Sequence, residues 1–173
     1  MHALAYWKAV TADRSEFLER LVATLAKAGI RYCVIGGQGV NAYVEPVVSL
    51  DLDLAVATAD LEKAEALLAM DFQVRRFPHS VNVSATGSDL RVQLQTDPRY
   101  AAFVADASQR EILGLRLPVA TVEAVMQGKV WAAQDPGRRP SKRQKDLADI
   151  ARLLEAYPEL RRLVPEALLA RLV

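Results

Sequence analysis

The sequence is short of the features that let a chain do without a hydrophobic core. It has one cysteine, Cys33, in 173 residues, so no internal disulfide can form. The place of Cys33 in the apolar run Tyr32-Cys33-Val34-Ile35 predicts a buried structural thiol. Only two histidines are present, and His2 and His79 have no partner at ligand spacing, which argues against a zinc site or a nucleophilic dyad. Nowhere do about 18 apolar residues run together, and Met1 to Val10 lacks a basic stretch followed by an apolar one. A cytoplasmic chain with no membrane partner is therefore expected. The net charge is only +1, so there is no global pull toward nucleic acid, and any electrostatic argument must be local. Internal repeats and low-complexity tracts are also missing.

What is present is a globular composition, with 51% hydrophobic and 25% charged residues. A chain of this length buries about two-thirds of the surface exposed when unfolded. One domain over 1–173 is expected, with a sheet-containing core over about 15–118 and a helical part over about 119–173. From Ser15, Phe17, Leu18, Leu21, Val22 and Leu25 recur at helical spacing and Gly29 closes the helix. Tyr32 to Ile35 reads as a buried strand breaking at Gly36-Gly37, followed by a short helix over Gln38 to Tyr43 that Glu45-Pro46 ends. Val47 to Val56 reads as a second strand. Leu61 to Met70 reads as a helix with Asp60 as its N-cap. Alternation at Val81 and Val83, and again at Leu90, Val92 and Leu94, predicts a hairpin around Thr86-Gly87-Ser88-Asp89. Beyond a less regular middle, Val122 to Ala133 and Arg143 to Tyr157 read as helices joined by Asp135-Pro136-Gly137. The pattern is α/β (α+β), a small mixed sheet flanked by helices with a helical C-terminal region.

In a strand, side chains two apart share a face, so Asp51 and Asp53 present two carboxylates together, with Leu52 and Leu54 behind. Two ionised carboxylates that close repel, and a divalent cation or a shared proton relieves them. Magnesium suits one or two carboxylates plus phosphates and waters. The plain alternative is two solvated residues near a strand end. Gly36 and Gly37 turn a strand into a helix and leave backbone N–H groups open to an anion, or else simply allow close helix packing. Gln38 and Asn41, just beyond, either touch a nucleotide or cap and face solvent.

The order Val34-Ile35-Gly36-Gly37, short helix, Leu50-Asp51-Leu52-Asp53-Leu54 resembles the signature of minimal nucleotidyltransferases. Lys129-Val130-Trp131-Ala132 and Asp146-Leu147-Ala148-Asp149 resemble the later motifs of the abortive-infection (AbiEii-type) toxin branch, so four elements in order span Val34 to Asp149. The resemblance implies a nucleotidyltransferase fold and magnesium-dependent transfer of a nucleoside monophosphate from a nucleoside triphosphate to an acceptor hydroxyl on tRNA, protein or a small molecule. It also implies a toxin of a toxin–antitoxin pair, with a cognate antitoxin as partner. In such chemistry two metals bridge the attacking and leaving oxygens. Asp51 and Asp53 are then the metal ligands, Asp51, Asp53, Lys129 and Asp146 the catalytic set, and Gly36, Gly37, Gln38, Asn41, Lys129, Lys142 and Arg143 the nucleotide contacts.

Each later motif has a rival reading. Lys129 can be a surface lysine lying along an apolar stripe. Asp146 and Asp149 can form a salt-bridged surface face with Lys142, Lys145 and Arg152. The basic cluster Arg138, Arg139, Lys142, Arg143 and Lys145 receives a triphosphate or an RNA backbone, as part of a loop that Pro136, Gly137 and Pro140 let move over a pocket, or simply solvates a loop. Enzymes of this fold usually add a third carboxylate from a neighbouring strand. Here that strand reads Leu90-Arg91-Val92-Gln93-Leu94-Gln95, with an amide that cannot take a proton near neutral pH. Asp89, Asp97 and Asp146 are the candidate replacements. If none serves, the chain is a catalytically degenerate nucleotide-binding or regulatory module.

Overall fold

Apolar periodicity decides which side of each element meets the sheet. The computed structural model describes residues 16–172; Ser15, where the sequence pattern opens the first helix, and His2 lie outside them. Helix α1 runs over residues 16–27 and leads into strand β1, Tyr32–Ile35, and the six-residue helix α2, Gly36–Asn41. Then come β2, Asp51–Val56, helix α3, Leu61–Leu68, and the strands β3, Gln73–Phe77, β4, Ser80–Ser84, and β5, Arg91–Gln95. A 3-10 segment, Pro98–Val104, precedes the hairpin of β6, Ser108–Ile112, and β7, Leu115–Val119. Helices α4, Val122–Gln134, and α5, Pro140–Ala156, follow, and a 3-10 turn with a short helix α6, Glu166–Leu169, ends the described chain.

Seven strands form one mixed sheet in the order β3-β4-β5-β2-β1-β7-β6. Strands β1 and β2 are antiparallel, while β2 pairs with β5 and β1 with β7 in parallel. Two apolar layers result. Phe17, Leu18, Leu21 and Leu25 of α1, with Ala64 and Leu68 of α3, pack on the face that carries Val34, Leu52, Leu54, Val92 and Leu94. The opposite face carries Cys33, Ile35 and Ala55 under α2, α4 and α5. Asp51 and Asp53 alternate with Leu52 and Leu54 and so stand on this second face. Cys33 is fully buried, and burial pushes its thiol up to about 12, as a structural cysteine requires.

The structure moves several boundaries. The short helix begins at Gly36 instead of Gln38, and β2 begins at Asp51, not Val47. The segment from Val47 is held by side chains: Asn41 accepts from Val47 N–H at 3.0 Å and donates to its carbonyl at 2.8 Å. It therefore needs no strand partner, and Val47 and Val48 stay 52% and 68% exposed. Asp60 precedes α3 but makes no side-chain cap, because a 3-10 turn over Thr58–Asp60 enters the helix. Helix α5 starts at Pro140, since a proline suits the first helical position. Lys142 thus joins Arg143 and Lys145 on a helix. The irregular middle hides the β6–β7 hairpin, which turns through Leu113 and Gly114 at φ 52° and 82°. Ser108 to Glu111 of its edge strand are exposed and Pro118 sits in its partner, so the alternation that marks a strand is weak there.

Leu52, fully buried behind the two aspartates, tests this layering. Leu52→Ala should lower unfolding free energy by about 2–5 kcal/mol in urea titration; a loss near zero would place Leu52 outside the core.

Candidate active site

The paired register of β1, β2 and β5 builds the site. Asp53 stands opposite Ile35 on one side and Gln93 on the other, and Asp51 stands opposite Arg91. Gln93 thus occupies the neighbouring-strand position beside Asp53, and it lines a cavity of about 370 Å³ together with Asp51 and Asp53. A smaller cavity of about 80 Å³, reached past Gly37 and Val48, shares both aspartates. The glycine turn is fitted to the carboxylates: Gly36 has φ +65°, and a Cβ there would stand 3.0 Å from Cβ and Cγ of Asp53 and closer still to its Oδ2. A side chain at 36 is excluded twice, by backbone conformation and by the carboxylate.

Opposite the strands, α4 and α5 supply the charge. Arg139 and Lys142, at the N-terminal end of α5, and Arg138 just before it line the larger cavity. The Lys142 ammonium is 3.5 Å from Asp51 Oδ2, and Arg91 Nε is 2.9 Å from Asp51 Oδ1. Lys129 is only 8% exposed, so the surface reading fails. Its ammonium lies 3.1 Å from Asp146 Oδ1 and 2.8 Å from Asp149 Oδ2. Asp146 also takes a two-pronged contact from Arg138, at 2.8 and 3.1 Å, and Asp149 takes Arg152 at 2.8 Å. Both aspartates are buried, not arrayed on a surface face, and Lys142 and Lys145 make no ion pair with either among the described residues. Arg143 points elsewhere, donating to the Asp135 carbonyl at 2.8 Å. With Arg138 bound to Asp146, the 135–139 loop is tied down on two sides.

Of the three candidate replacements for the third carboxylate, Asp146 lines the cavity with Asp51 and Asp53, and Asp89 and Asp97 do not. Asp97 caps the Pro98–Val104 segment and pairs with Arg99 at 2.7 Å, Asp89 is exposed, and Asp146 is held by Lys129 and Arg138. Among the described residues, no three of His, Cys, Asp and Glu gather as a metal group. The donors at hand are the oxygens of Asp51 and Asp53 with the Gln93 amide nearby, and no ion pair reaches Asp53 among the described residues. That oxygen set, with one carboxylate left uncompensated, fits magnesium, which completes its shell with water and phosphate. Sequence reasoning set aside His79, yet the β3–β4 turn brings it, with Ser80 and Gln95, into the cavity wall. Only the strand pairing reveals that position.

A family model described as nucleotidyl transferase AbiEii toxin, Type IV TA system, matches residues 10–173. The chain belongs to the AbiEii nucleotidyltransferase toxin family. No curated protein matches it. Solved structures share its fold at low identity. The antibiotic-resistance factor ANT(2'')-Ia superposes with a TM-score of 0.62 at 16% identity, over 91% of this chain and 92% of that one. An antigenic nucleotidyltransferase-like protein from Paracoccidioides brasiliensis gives 0.52 at 18%, over 88% and 84%. The lincosamide antibiotic adenylyltransferase LnuA, bound to lincomycin, gives 0.50 at 11%, over 79% and 95%. The mixed α/β sheet is thus a nucleotidyltransferase fold, as the sequence motifs imply.

In this AbiEii-family chain the electrostatics of the two halves differ. Burial, and then the Asp51 charge, raise the Asp53 carboxyl above the usual range against the opposing pull of Lys129, Arg138 and Lys142. For Lys129, burial works downward, but Asp149 and Asp146 outweigh it and hold the ammonium above the ordinary lysine value. The Lys129 ammonium is therefore firmly charged, whereas the ionised form of Asp53 is disfavoured.

Two outcomes follow. A raised Asp53 pKa makes the ionised form a folding penalty that is absent below the unfolded value and grows as pH rises through the folded value. In chelator, Asp53→Asn should melt higher than the wild type above neutrality, and the gap should close as pH falls toward the ordinary carboxylate value; a lower melting temperature at every pH would contradict this. Gly36→Ala should remain folded by circular dichroism but lose nucleotide-dependent thermal stabilisation in magnesium. Retained stabilisation would show that the close approach to Asp53 is dispensable.

Proposed function

We propose that the protein transfers a nucleoside monophosphate from a nucleoside triphosphate to an acceptor hydroxyl, with magnesium held by Asp51 and Asp53, and that this transfer is its toxic activity. The observation that carries the reading is the meeting of the carboxylate pair, Gly36 and the cations Arg138, Arg139 and Lys142 around one cavity. The acceptor oxygen bonds to the α-phosphorus as the bond to the bridging oxygen breaks, and pyrophosphate leaves with the electron pair. Bound magnesium would polarise the phosphoryl oxygens and screen the carboxylates.

The protein's own residues do the rest. Backbone N–H groups at Gly36 and Gly37 face the phosphates, and Arg138, Arg139 and Lys142 offset the triphosphate and then the departing pyrophosphate. Lys142, paired with Asp51 in this structure, would be free to reach phosphate with a cation bound at Asp51. Lys129 and Asp146 fix Arg138 and the field around Asp53. Arg143 contributes through the 135–139 loop that it fastens. Gln93 cannot accept the hydroxyl proton, so the proton leaves through the open cavity to solvent. The acceptor belongs to tRNA, a protein or a small molecule, in the cytoplasm, and a cognate antitoxin opposes the effect.

Labelled nucleoside triphosphates, magnesium and cell extract test this: label should pass to an extract component with the wild type and not with Asp51→Asn. No transfer with any of the four nucleotides would defeat the reading. The rate should climb with pH, and Gln93→Asp should flatten that dependence by supplying a base; an unchanged profile would place the proton elsewhere. One observation favours a second reading, because Gln93 at the third-carboxylate position suits a module that binds nucleotide without turnover. Magnesium-dependent nucleotide binding with no pyrophosphate release, and turnover only in Gln93→Asp, would select it.

A further inference from the structure

The segment between α2 and β2 delivers Asp51 to the site, yet its backbone has few strand or helix partners of its own. Three alternate carbonyls along it are taken by three different side chains: Arg152 donates to the Glu45 carbonyl, Asn41 to that of Val47 at 2.8 Å, and Gln38 to that of Ser49 at 3.2 Å. The three donors are bonded to one another. Arg152 donates to Asn41 Oδ1 at 3.1 Å, and Asn41 donates to Gln38 Oε1 at 3.2 Å. At the near end, Ser49 Oγ accepts from the Asp51 N–H at 3.2 Å. At the far end, Arg152 holds Asp149 at 2.8 Å, and Asp149 holds the buried Lys129 at 2.8 Å. An unbroken chain of bonds thus runs from Lys129 in α4, through α5 and α2, to the backbone of Asp51.

We propose that Arg152 is a positioning residue that sets Asp51 for its cation through the amides of Asn41 and Gln38, and that these two amides serve that geometry and not the nucleotide. The bonding supports this division. Asn41 uses both amide hydrogens, on Val47 and Gln38, and its oxygen takes both Val47 N–H and Arg152. Gln38 is 4% exposed with its oxygen and nitrogen both engaged. Asn41, which lines the smaller cavity, has no donor or acceptor to spare for a ligand without breaking the brace, and burial keeps the remaining Gln38 N–H from one. Arginine is required because its planar fork reaches Asp149, Asn41 and the Glu45 carbonyl together, whereas an ammonium on a shorter reach satisfies Asp149 alone. Groups behind a metal ligand commonly change metal affinity by about 10–100-fold when removed.

This inference rests on the proposed magnesium-dependent transfer, and its test separates the two. Arg152→Lys keeps a cation beside Asp149, so its melting temperature in chelator should stay close to that of the wild type. Hydrogen exchange over residues 44–51 should speed up, and the magnesium concentration for half-maximal transfer should rise about 10-fold. At saturating magnesium, the nucleotide KM should stay within about twofold of the wild type. Gln38→Met, at the other end of the brace and without any charge change, should reproduce the magnesium shift. Faster exchange with an unchanged magnesium requirement in both variants would overturn the proposal and leave the brace a purely structural device. A raised nucleotide KM at saturating magnesium would overturn it too, in favour of direct nucleotide contact. Should the wild type transfer no label, the magnesium requirement is read from nucleotide-dependent thermal stabilisation, so the loss of the transfer reading does not decide the fate of the brace. A wild type with neither response would overturn both.

Discussion

Two carboxylates two residues apart on a strand, both turned to a partly enclosed cavity, repel each other and resist losing water. The rest of the site is arranged around that constraint. Asp51 is offset by Arg91 and Lys142, while Asp53 has no such pair among the described residues and is raised by its burial. A fold built for stability alone would place leucines there. Keeping the aspartates sets stability against function, a common trade, and their mutual repulsion is what a cation under the proposed function would relieve.

The same constraint explains the surroundings. Position 36 must be glycine because the Asp53 carboxylate occupies the space of its side chain. The sheet passes between two apolar layers, so that Leu52 and Leu54 anchor the strand from behind while the aspartates face α4 and α5. Those helices and the loop between them carry a second set of charges, whose buried members are matched: Lys129 between Asp146 and Asp149, Arg138 on Asp146, Arg152 on Asp149. Buried ion pairs offset their desolvation only when geometry and hydrogen bonding are good. Here they hold two helices and a loop in register with β2 and so add specificity of placement.

The reading of the sequence succeeds where local chemistry is periodic or positional. The alternation through Asp51-Leu52-Asp53-Leu54 and the glycine break after Ile35 follow from geometry that any strand obeys, and the structure reproduces both. The expectation of an amide beside Asp53 also holds, because Gln93 and Asp53 pair in register. What sequence alone hides is set by distant partners. Lys129 reads equally well as a surface lysine or a phosphate contact, and its burial between Asp146 and Asp149 is not legible in the spacing. The segment from Val47 has strand-like residues, yet side chains from α2 and α5 satisfy its carbonyls. His79 is invisible as a site residue because its place in the cavity depends on the β3–β4 turn, and the β6–β7 hairpin is masked by an exposed, charged edge.

The central claim is that Asp51 and Asp53 hold a divalent cation against a nucleotide. Crystals grown with manganese and a non-hydrolysable nucleoside triphosphate test it directly, since manganese takes the same oxygen ligands as magnesium and is visible by anomalous scattering. The account predicts an anomalous peak coordinated by both aspartates and by phosphate oxygens, with Lys142 moved from Asp51 toward the phosphates. A nucleotide bound in the cavity with no peak at the pair, or a metal held by other side chains, would contradict it.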